Sequence, residues 1–325
     1  MNTNFRAGVI GFGSMGKNHV RVLRTMDGVE LVGIVDTVAK SDREEILKSL
    51  KELLQRKPNY CIVATPTAFH EEVAIELAQA GVHALVEKPI ASSVDSGLRI
   101  AKAFEENKLI GAVGHIERYN PALREAKRRM EEGQIGKVIQ IATRRQGPFP
   151  ARISDVGVVK DLATHDIDLT RWILGTEYET VDAYTAIKSG RINEDLLAAL
   201  CIMRDGTIVN HLVNWLSPLK ERIINVIGEK GAFTIDTLLA DLTFHANAEI
   251  ENQWEDVARF RGVREGDMVR YAFLKNEPLR TEHEKFMAAI EGHGNEVVTF
   301  DDGIKTLETA EKMISNSKTT LSQST

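Results

Sequence analysis

Phe5-Arg6-Ala7-Gly8-Val9-Ile10-Gly11-Phe12-Gly13-Ser14-Met15-Gly16 is a β-type run that ends in three glycines spaced G-x-G-x-x-G. Val20, Leu23 and Met26 then recur at helical spacing, and residues 29–35 form a second apolar run that stops at Asp36. Strand, glycine turn, helix, strand and terminal acid within about 30 residues is the pattern of a dinucleotide-binding unit. Gly11 permits the tight turn, Gly13 lets backbone approach a pyrophosphate, and Gly16 lets the helix pack closely on the strand. The helix start, with unpaired N–H groups and the positive end of the dipole, suits phosphate. Gly11, Phe12, Gly13, Ser14, Met15 and Gly16 are therefore the expected cofactor turn. Asp36 is placed to accept hydrogen bonds from both ribose hydroxyls and to repel a 2′-phosphate, and Thr37-Val38-Ala39 offers no arginine to bind one. NAD is favoured over NADP, although Lys40 and Arg43 keep the phosphorylated cofactor open.

The alternation continues downstream. Ser41-Asp42-Arg43-Glu44 reads as a capping box that opens a helix to about residue 56, broken by Pro58-Asn59. Residues 60–64 are the next strand, ended by Thr65-Pro66-Thr67, and a helix with His70 in its opening turn closes at Gly81. Residues 83–87 form a buried strand cut off at Lys88-Pro89, because proline cannot donate to a sheet ladder. Ser92 or Ser93 caps a helix to residue 106, and residues 109–113 lead to Gly114-His115. This is an α/β pattern, a doubly wound parallel sheet with right-handed crossovers. Ligands in such sheets bind beyond the carboxyl ends of the strands, where Thr65, Lys88 and His115 all fall. In isolation Lys88 reads as a solvated lysine at the surface end of a strand; its place on the cofactor side turns that reading toward a cleft.

The pattern changes in the second half. Asn120-Pro121 reads as an N-cap with proline in the first helical position, opening a helix to about residue 132. From Lys137 onward, period-two runs appear at 181–187, 196–203, 207–215, 222–227 and 232–237, with Asp205-Gly206 as a hairpin turn. This half is α+β with a mostly antiparallel open sheet. Late helices are expected at 282–291 and 302–315, the last returning to the first domain, with domains at 1–118 and 119–325. Residues 146–160 read as a polar loop before a helix that starts Asp161-Leu162-Ala163-Thr164-His165 and closes at Gly175. Asp161 and His165 are four apart and share a face. Two readings stand: a capping aspartate with a satisfied histidine, or an acid–base pair whose imidazole takes a hydroxyl proton near neutral pH. No H-x-x-x-H pair or cysteine cluster calls for a metal. Asp166 and Asp168 read as surface or orienting charges.

The 325 residues, 43% hydrophobic and 27% charged, have an ordinary globular composition with room for two domains. A net charge of −6 argues against a nucleic-acid or membrane-surface partner. No apolar run reaches the ~18 residues of a membrane span, and the first residues show no signal-peptide pattern. Cys61 and Cys201 stand singly in apolar runs and read as buried thiols. A cytoplasmic protein with a small-molecule partner is the expectation.

Gly11-x-Gly13-x-x-Gly16, Thr65-Pro66, Glu87-Lys88-Pro89 and Asp161-x-x-x-His165 together resemble the Gfo/Idh/MocA oxidoreductases over nearly the whole chain. Glu-Lys-Pro after the fifth Rossmann strand is the most specific mark. The resemblance implies a Rossmann domain followed by a domain whose open sheet makes homo-oligomers, dimers or tetramers. It also implies nicotinamide-dependent oxidation of a secondary hydroxyl on a sugar or cyclitol. Lys88 would bind the reacting oxygen, His165 would be the acid/base with Asp161 as its partner, and Thr65, Pro66, His70 and Glu87 would join the cofactor contacts. Residues 114–121 and 144–152 are similar to those of members acting on the 3-hydroxyl of UDP-N-acetylglucosamine. His115, Glu117, Arg118, Tyr119, Asn120, Arg145 and Arg152 thereby become candidate substrate contacts, the arginines as guanidinium forks for a diphosphate. Inositol or a free sugar is the alternative substrate. A non-catalytic NAD or sugar sensor is a third reading, disfavoured by the presence of Lys88, Asp161 and His165. One departure stands out: the family usually fits a further helix and a short strand between Asp36 and Tyr60, where this chain has room for one helix. The sheet edge beyond the second strand is expected to be missing.

Overall fold

The computed structural model describes residues 5–42, 44–150, 156–247, 265–294 and 296–321. The chain forms two compact units: one ends at Ile116 and is completed by Glu277–Glu308, the other spans Glu117–Asn276 and resumes at Thr309. No described helix is long and apolar enough to cross a membrane.

The first unit is built on six parallel strands, β1 (Phe5–Ile10), β2 (Val29–Val35), β3 (Ile46–Leu47), β4 (Tyr60–Val63), β5 (His83–Glu87) and β6 (Gly111–Gly114). Their order is β3-β2-β1-β4-β5-β6, so the sheet reverses its winding between β1 and β4 and opens a crevice there. Helices α1 (Ser14–Leu23), α2 (Leu50–Gln55), α3 (His70–Gln79) and α4 (Val94–Glu106) connect the strands. The strand interiors are almost wholly buried, as expected of a parallel sheet covered on both faces.

The stretch after Asp36 corrects one expectation. The capping contact forms, with the Glu44 N–H donating to Ser41 Oγ at 3.1 Å, but it opens no helix. Instead Ile46 and Leu47 pair in parallel with Ile34 and Val35, so the edge strand is present. The helix starts later, at a second S-x-x-E: Ser49 Oγ accepts from the Glu52 N–H, and the Glu52 carboxylate accepts from the same hydroxyl. Leu53 on that helix is fully buried over Gly8 and Gly33, where a Cβ would come within 3.0 Å of its methyl groups. A two-residue strand is too short to leave a period in the sequence, which is why this edge read as absent.

The second unit carries a nine-stranded sheet. Its strands are β7 (Val138–Pro148), β8 (Tyr178–Ile187), β9 (Leu196–Met203), β10 (Ile208–Asn214), β11 (Leu216–Gly228), β12 (Gly231–Asp236), β13 (Asp241–Asn247), β14 (Glu265–Arg270) and β15 (Lys318–Leu321), in the order β14-β13-β12-β11-β7-β10-β9-β8-β15. Among the described strands of this sheet, only β7 with β10 and β8 with β15 run parallel. Asp205-Gly206 makes the β9–β10 turn, with Gly206 at φ +86°. Helix α5 (Pro121–Glu131) starts at the Asn120 cap, whose side chain accepts from the Ala122 N–H. Helix α6 (Thr164–Leu174) ends at Gly175 in the left-handed region. Ile141, Val209, Cys201, Val226 and Phe233 point into the core with Leu123 and Ile167. The opposite face of the sheet leaves Tyr184, Leu200, Ile202, Ile208, Leu212 and Ile227 exposed.

Residues 277–308 return to the first unit. Helix α7 (Pro278–Ile290) lays Leu279 and Phe286 into the core around Phe5, Tyr60 and Ile62, with Phe286 edge-on to Tyr60 at 5.5 Å. The Val113 N–H then donates to Val298 O at 2.8 Å. Helix α8 (Phe300–Ser315) begins with Phe300 packed edge-on against Phe104 at 5.0 Å, its ring over Gly111. A Cβ on Gly111 would stand 2.1 Å from that ring. Gly111→Ala should therefore cost about 1–3 kcal/mol of stability in urea unfolding, and adding Phe300→Leu should recover part of the loss.

Candidate active site

The crevice of the first unit fits a dinucleotide. Gly11 has φ +94°, and a Cβ there would lie 2.4 Å from Ala64 O; one on Gly16 would lie 1.9 Å from Gly11 O. Gly13, by contrast, has nothing among the described residues within 4 Å of a Cβ position. Helix α1 starts from Gly13 with no side-chain cap, so its first-turn N–H groups are available to a phosphate. Ser14 is exposed and Met15 half-buried beside them, while Phe12 is buried under Lys17 Nζ, 5.5 Å from its ring centre. Asp36, at the end of β2, accepts from the N–H groups of Phe12 (2.8 Å), Val38 (2.8 Å) and Ala39 (2.7 Å). Burial pulls its carboxyl up, but those three amides and the Lys48 charge outweigh it and hold the group below the usual carboxylate range. A carboxylate so fixed retains lone-pair capacity for ribose hydroxyls.

The other strand ends are bound to one another. His70, at the start of α3 and 1% exposed, has Nε2 2.9 Å from Thr65 O and Nδ1 3.0 Å from Pro89 O. Burial keeps this ring below the ordinary histidine range in spite of the two carbonyls and Glu87. Its single ring N–H can donate to one of these carbonyls while the other nitrogen lies against the second, so the ring sits between the ends of β4 and β5 as a brace. Pro66 begins the short turn Thr67–Phe69. Lys88 is half-buried and joined to Pro89 by a cis peptide bond. Glu87 turns inward, and His115 lies buried just past β6.

In the second unit, the expected start of α6 is altered. Val159–Ala163 is wound as a π-helix, whose following residue, Thr164, sends its N–H back to Val159 O. Asp161 therefore stands in a widened turn, and His165 in the first turn of the α-helix. Such turns are frequent at functional sites. Glu194 anchors this one, its carbonyl accepting from the Val158 N–H and its carboxylate from the Val159 N–H. Gly157 makes room for that carboxylate; a Cβ there would lie 2.0 Å from it.

The helix bearing His165 is fixed by buried charge. Asp166 and Asp168, read from the sequence as surface or orienting charges, are each only 1% exposed. Asp168 accepts both arms of Arg118, at 2.8 and 2.6 Å. Asp166 accepts from Arg145 Nε at 2.8 Å and from the Thr143 hydroxyl at 3.2 Å. Arg145 Nη1 continues to Glu117 at 2.8 Å, and Arg222 reaches the same oxygen at 3.2 Å. Burial raises the Glu117 carboxyl, but the charges of Arg145 and Arg222 more than reverse it. Behind Thr143, His211 lies between Thr143 and Tyr178 at 2.8 Å on either side, and burial drives its ring down to about 4. The tyrosine hydroxyl thus donates to a neutral imidazole, which donates to Thr143, which donates to Asp166.

This geometry reassigns several candidates. Arg118 and Arg145 have their guanidinium forks closed by carboxylates, which removes the diphosphate role that their residue type suggested. Glu117 is their counter-charge, Asn120 is a helix cap that also donates to Thr237 O, and Tyr119 is buried next to it. Arg152 lies outside the described residues. Sequence reasoning missed Arg222, Glu194, His19 and His283, which act over long sequence separations; only His19, three residues after Gly16 on the buried side of an amphipathic helix, left a local trace.

A glycine-turned crevice at the switch point of a parallel sheet, with an acid at the end of β2, defines an NAD-binding Rossmann oxidoreductase. Residues 5–115 match the family model described as oxidoreductase family, NAD-binding Rossmann fold, and residues 123–234 match the GFO/IDH/MocA C-terminal domain. The chain is 30% identical over 259 residues to scyllo-inositol 2-dehydrogenase (NAD(+)) of Bacillus subtilis, covering 73% of this chain and 75% of that one. It is 29% identical over 298 residues to UDP-N-acetylglucosamine 3-dehydrogenase of Acidithiobacillus ferrooxidans, covering 89% and 90%. A match to inositol 2-dehydrogenase 2 of Saccharopolyspora erythraea, 30% over 200 residues, spans 58% of this chain and 59% of the relative. The solved UDP-N-acetylglucosamine 3-dehydrogenase GnnA of A. ferrooxidans superposes with a TM-score of 0.83 at 24% identity, covering 97% and 98% of the two chains. The chain belongs to the Gfo/Idh/MocA family, and its cofactor is NAD.

Asp166→Ala would leave Arg145 buried with one counter-charge fewer. It should destabilise the protein by about 3–5 kcal/mol in urea unfolding, with Asp166→Asn intermediate; a loss below about 1 kcal/mol would place Arg145 outside this network.

Proposed function

We propose that this protein is an NAD-dependent dehydrogenase that oxidises a secondary hydroxyl of a nucleotide sugar, with the 3-hydroxyl of UDP-N-acetylglucosamine as the first candidate. The observation that carries the dehydrogenase reading is Lys88 at the carboxyl end of β5, in the same sheet and at the same end as the Gly11–Gly16 turn. Bound NAD supplies the hydride acceptor. Lys88 binds the reacting oxygen and stabilises the alkoxide as it develops, a kind of contact whose loss commonly lowers rate ~10²–10³-fold. His165 takes the hydroxyl proton, and Asp161 orients it. The nucleotide-sugar choice is supported by a relative of that activity matching nearly the full length of the chain. The inositol dehydrogenases of similar identity favour a cyclitol as the second reading.

Lys88→Met should lower kcat at least about 10²-fold while NAD still quenches intrinsic fluorescence with nearly unchanged affinity. Turnover at the wild-type rate would remove Lys88 from the chemistry. Activity on UDP-sugars without activity on myo-inositol selects the first reading, and the reverse selects the second.

We further propose that the open face of the nine-stranded sheet joins copies of this chain. Ile202 pairs with Ile208, which neighbours Gln140 and then Ile227, and Leu212 lies four residues along β10 from Ile208. A contiguous exposed apolar patch of this kind is characteristic of an interface, and the same face on two copies is self-complementary. Leu200→Glu with Ile208→Glu should shift the protein to monomers in sedimentation velocity; an unchanged distribution would place the contact elsewhere.

A further inference from the structure

Glu87 ends β5 one residue before Lys88, but its side chain turns into the first unit. Its Oε1 lies 2.8 Å from His19 Nε2 on α1, and His19 Nδ1 lies 2.9 Å from His283 Nε2 on α7. Both histidines are 0% exposed, and their rings meet nearly perpendicular at 5.1 Å. Proton placement follows from the chemistry. Burial holds His283 well below the ordinary histidine range, so it carries one ring proton. With that proton on Nε2, His283 donates to His19 Nδ1, and the His19 Nε2–H donates to Glu87. His283 Nδ1, which makes no hydrogen bond among the described residues, is then an empty acceptor and not a stranded donor.

The groups acting on Glu87 come from every element around it: His19 from α1, His70 from α3, Glu282 and His283 from α7, and Lys88 beside it. Glu282 is 1% exposed, and among the described residues neither of its carboxyl oxygens has a hydrogen-bond partner. Burial, and then the Glu87 charge, push its carboxyl well above the usual range, so it is the neutral acid of the pair. Burial acts on Glu87 in the same sense. There the hydrogen bond from His19, then the Lys88 charge, outweigh it, and Glu87 remains a carboxylate.

We propose that His19, oriented by His283, is a positioning residue for the strand end: its Nε2–H pins the Glu87 carboxylate, and with it the end of β5 from which Lys88 is presented to the reacting oxygen. This rests on the reading of Lys88 given above. It also gives α7, nearly two hundred residues later in the chain than β5, a path to the chemistry that passes through a single histidine.

Infrared difference spectroscopy without substrate reads the carboxyl states directly, through the C=O stretch of a protonated acid. Wild type should show a buried acid band that Glu282→Gln removes. His19→Leu should add a second band, absent from His19→Leu/Glu87→Gln, because Glu87 without its donor takes up a proton. His19→Gln, whose amide can occupy the place of Nε2–H, should show no second band. Turnover should follow the spectra, with kcat down about 10²-fold in His19→Leu, little change in NAD affinity, and most of the rate restored in His19→Gln. If His19→Leu does not fold, His19→Asn, too short to reach Glu87, takes its place. No second band overturns the proposal, and so does a second band with wild-type kcat. Wild-type turnover in Lys88→Met is a separate result: it fails the dehydrogenase role of Lys88 and leaves the spectra to report on Glu87 alone.

Discussion

A carboxylate removed from water costs several kcal/mol unless cations or N–H groups surround it, and that constraint organises both units of this protein. In the first, Asp36 is wrapped by three amides at the end of β2, and Glu87 is held by His19 at the end of β5. In the second, Asp166, Asp168 and Glu117 share Arg145, Arg118 and Arg222. Glu87 is followed in the chain by Lys88, and Asp166 is preceded by His165, the two residues proposed for the chemistry. The charges are fixed so that the neighbouring side chain has little freedom to move.

The helix that carries His165 shows how this works. Asp166 and Asp168 lie on its buried side and grip two arginines from elsewhere in the same unit. Rotation or sliding of the helix would break buried ion pairs, which is far costlier than breaking exposed ones. The π turn at Val159–Ala163 then sets Asp161 ahead of His165, with Glu194 holding the turn from outside. The arginines that looked like diphosphate ligands are thus part of the frame, and specificity for a nucleotide sugar has to come from other groups.

What could be read from sequence was local. The glycine turn, the acid after β2, the strand cut by Pro89, the Asn120 cap and the Asp205-Gly206 hairpin each rest on residues within a few positions of one another, where periodicity and turn chemistry act. What could not be read was either very short or very long in range. The edge strand Ile46–Leu47 has no period to detect. β7 runs on through Gln146-Gly147-Pro148, where glycine and proline signalled a loop, because its neighbour β11 pairs with it across a register shift. The Glu87–His19–His283 chain joins positions 68 and 264 apart, which no window on the sequence spans. Arg145 presents the same residue type whether it binds a diphosphate or Asp166, so only the fold decides.

The central claim, a dehydrogenase acting at a sugar carbinol through Lys88 and His165, meets its most direct test in the fate of one hydrogen. The protein is incubated with NAD and UDP-N-acetylglucosamine deuterated at C3, and the reduced cofactor is analysed by mass spectrometry. The account predicts NADH carrying the deuterium, formed by the wild type and not by Lys88→Met. Reduced cofactor without the label, or none at all, would contradict it.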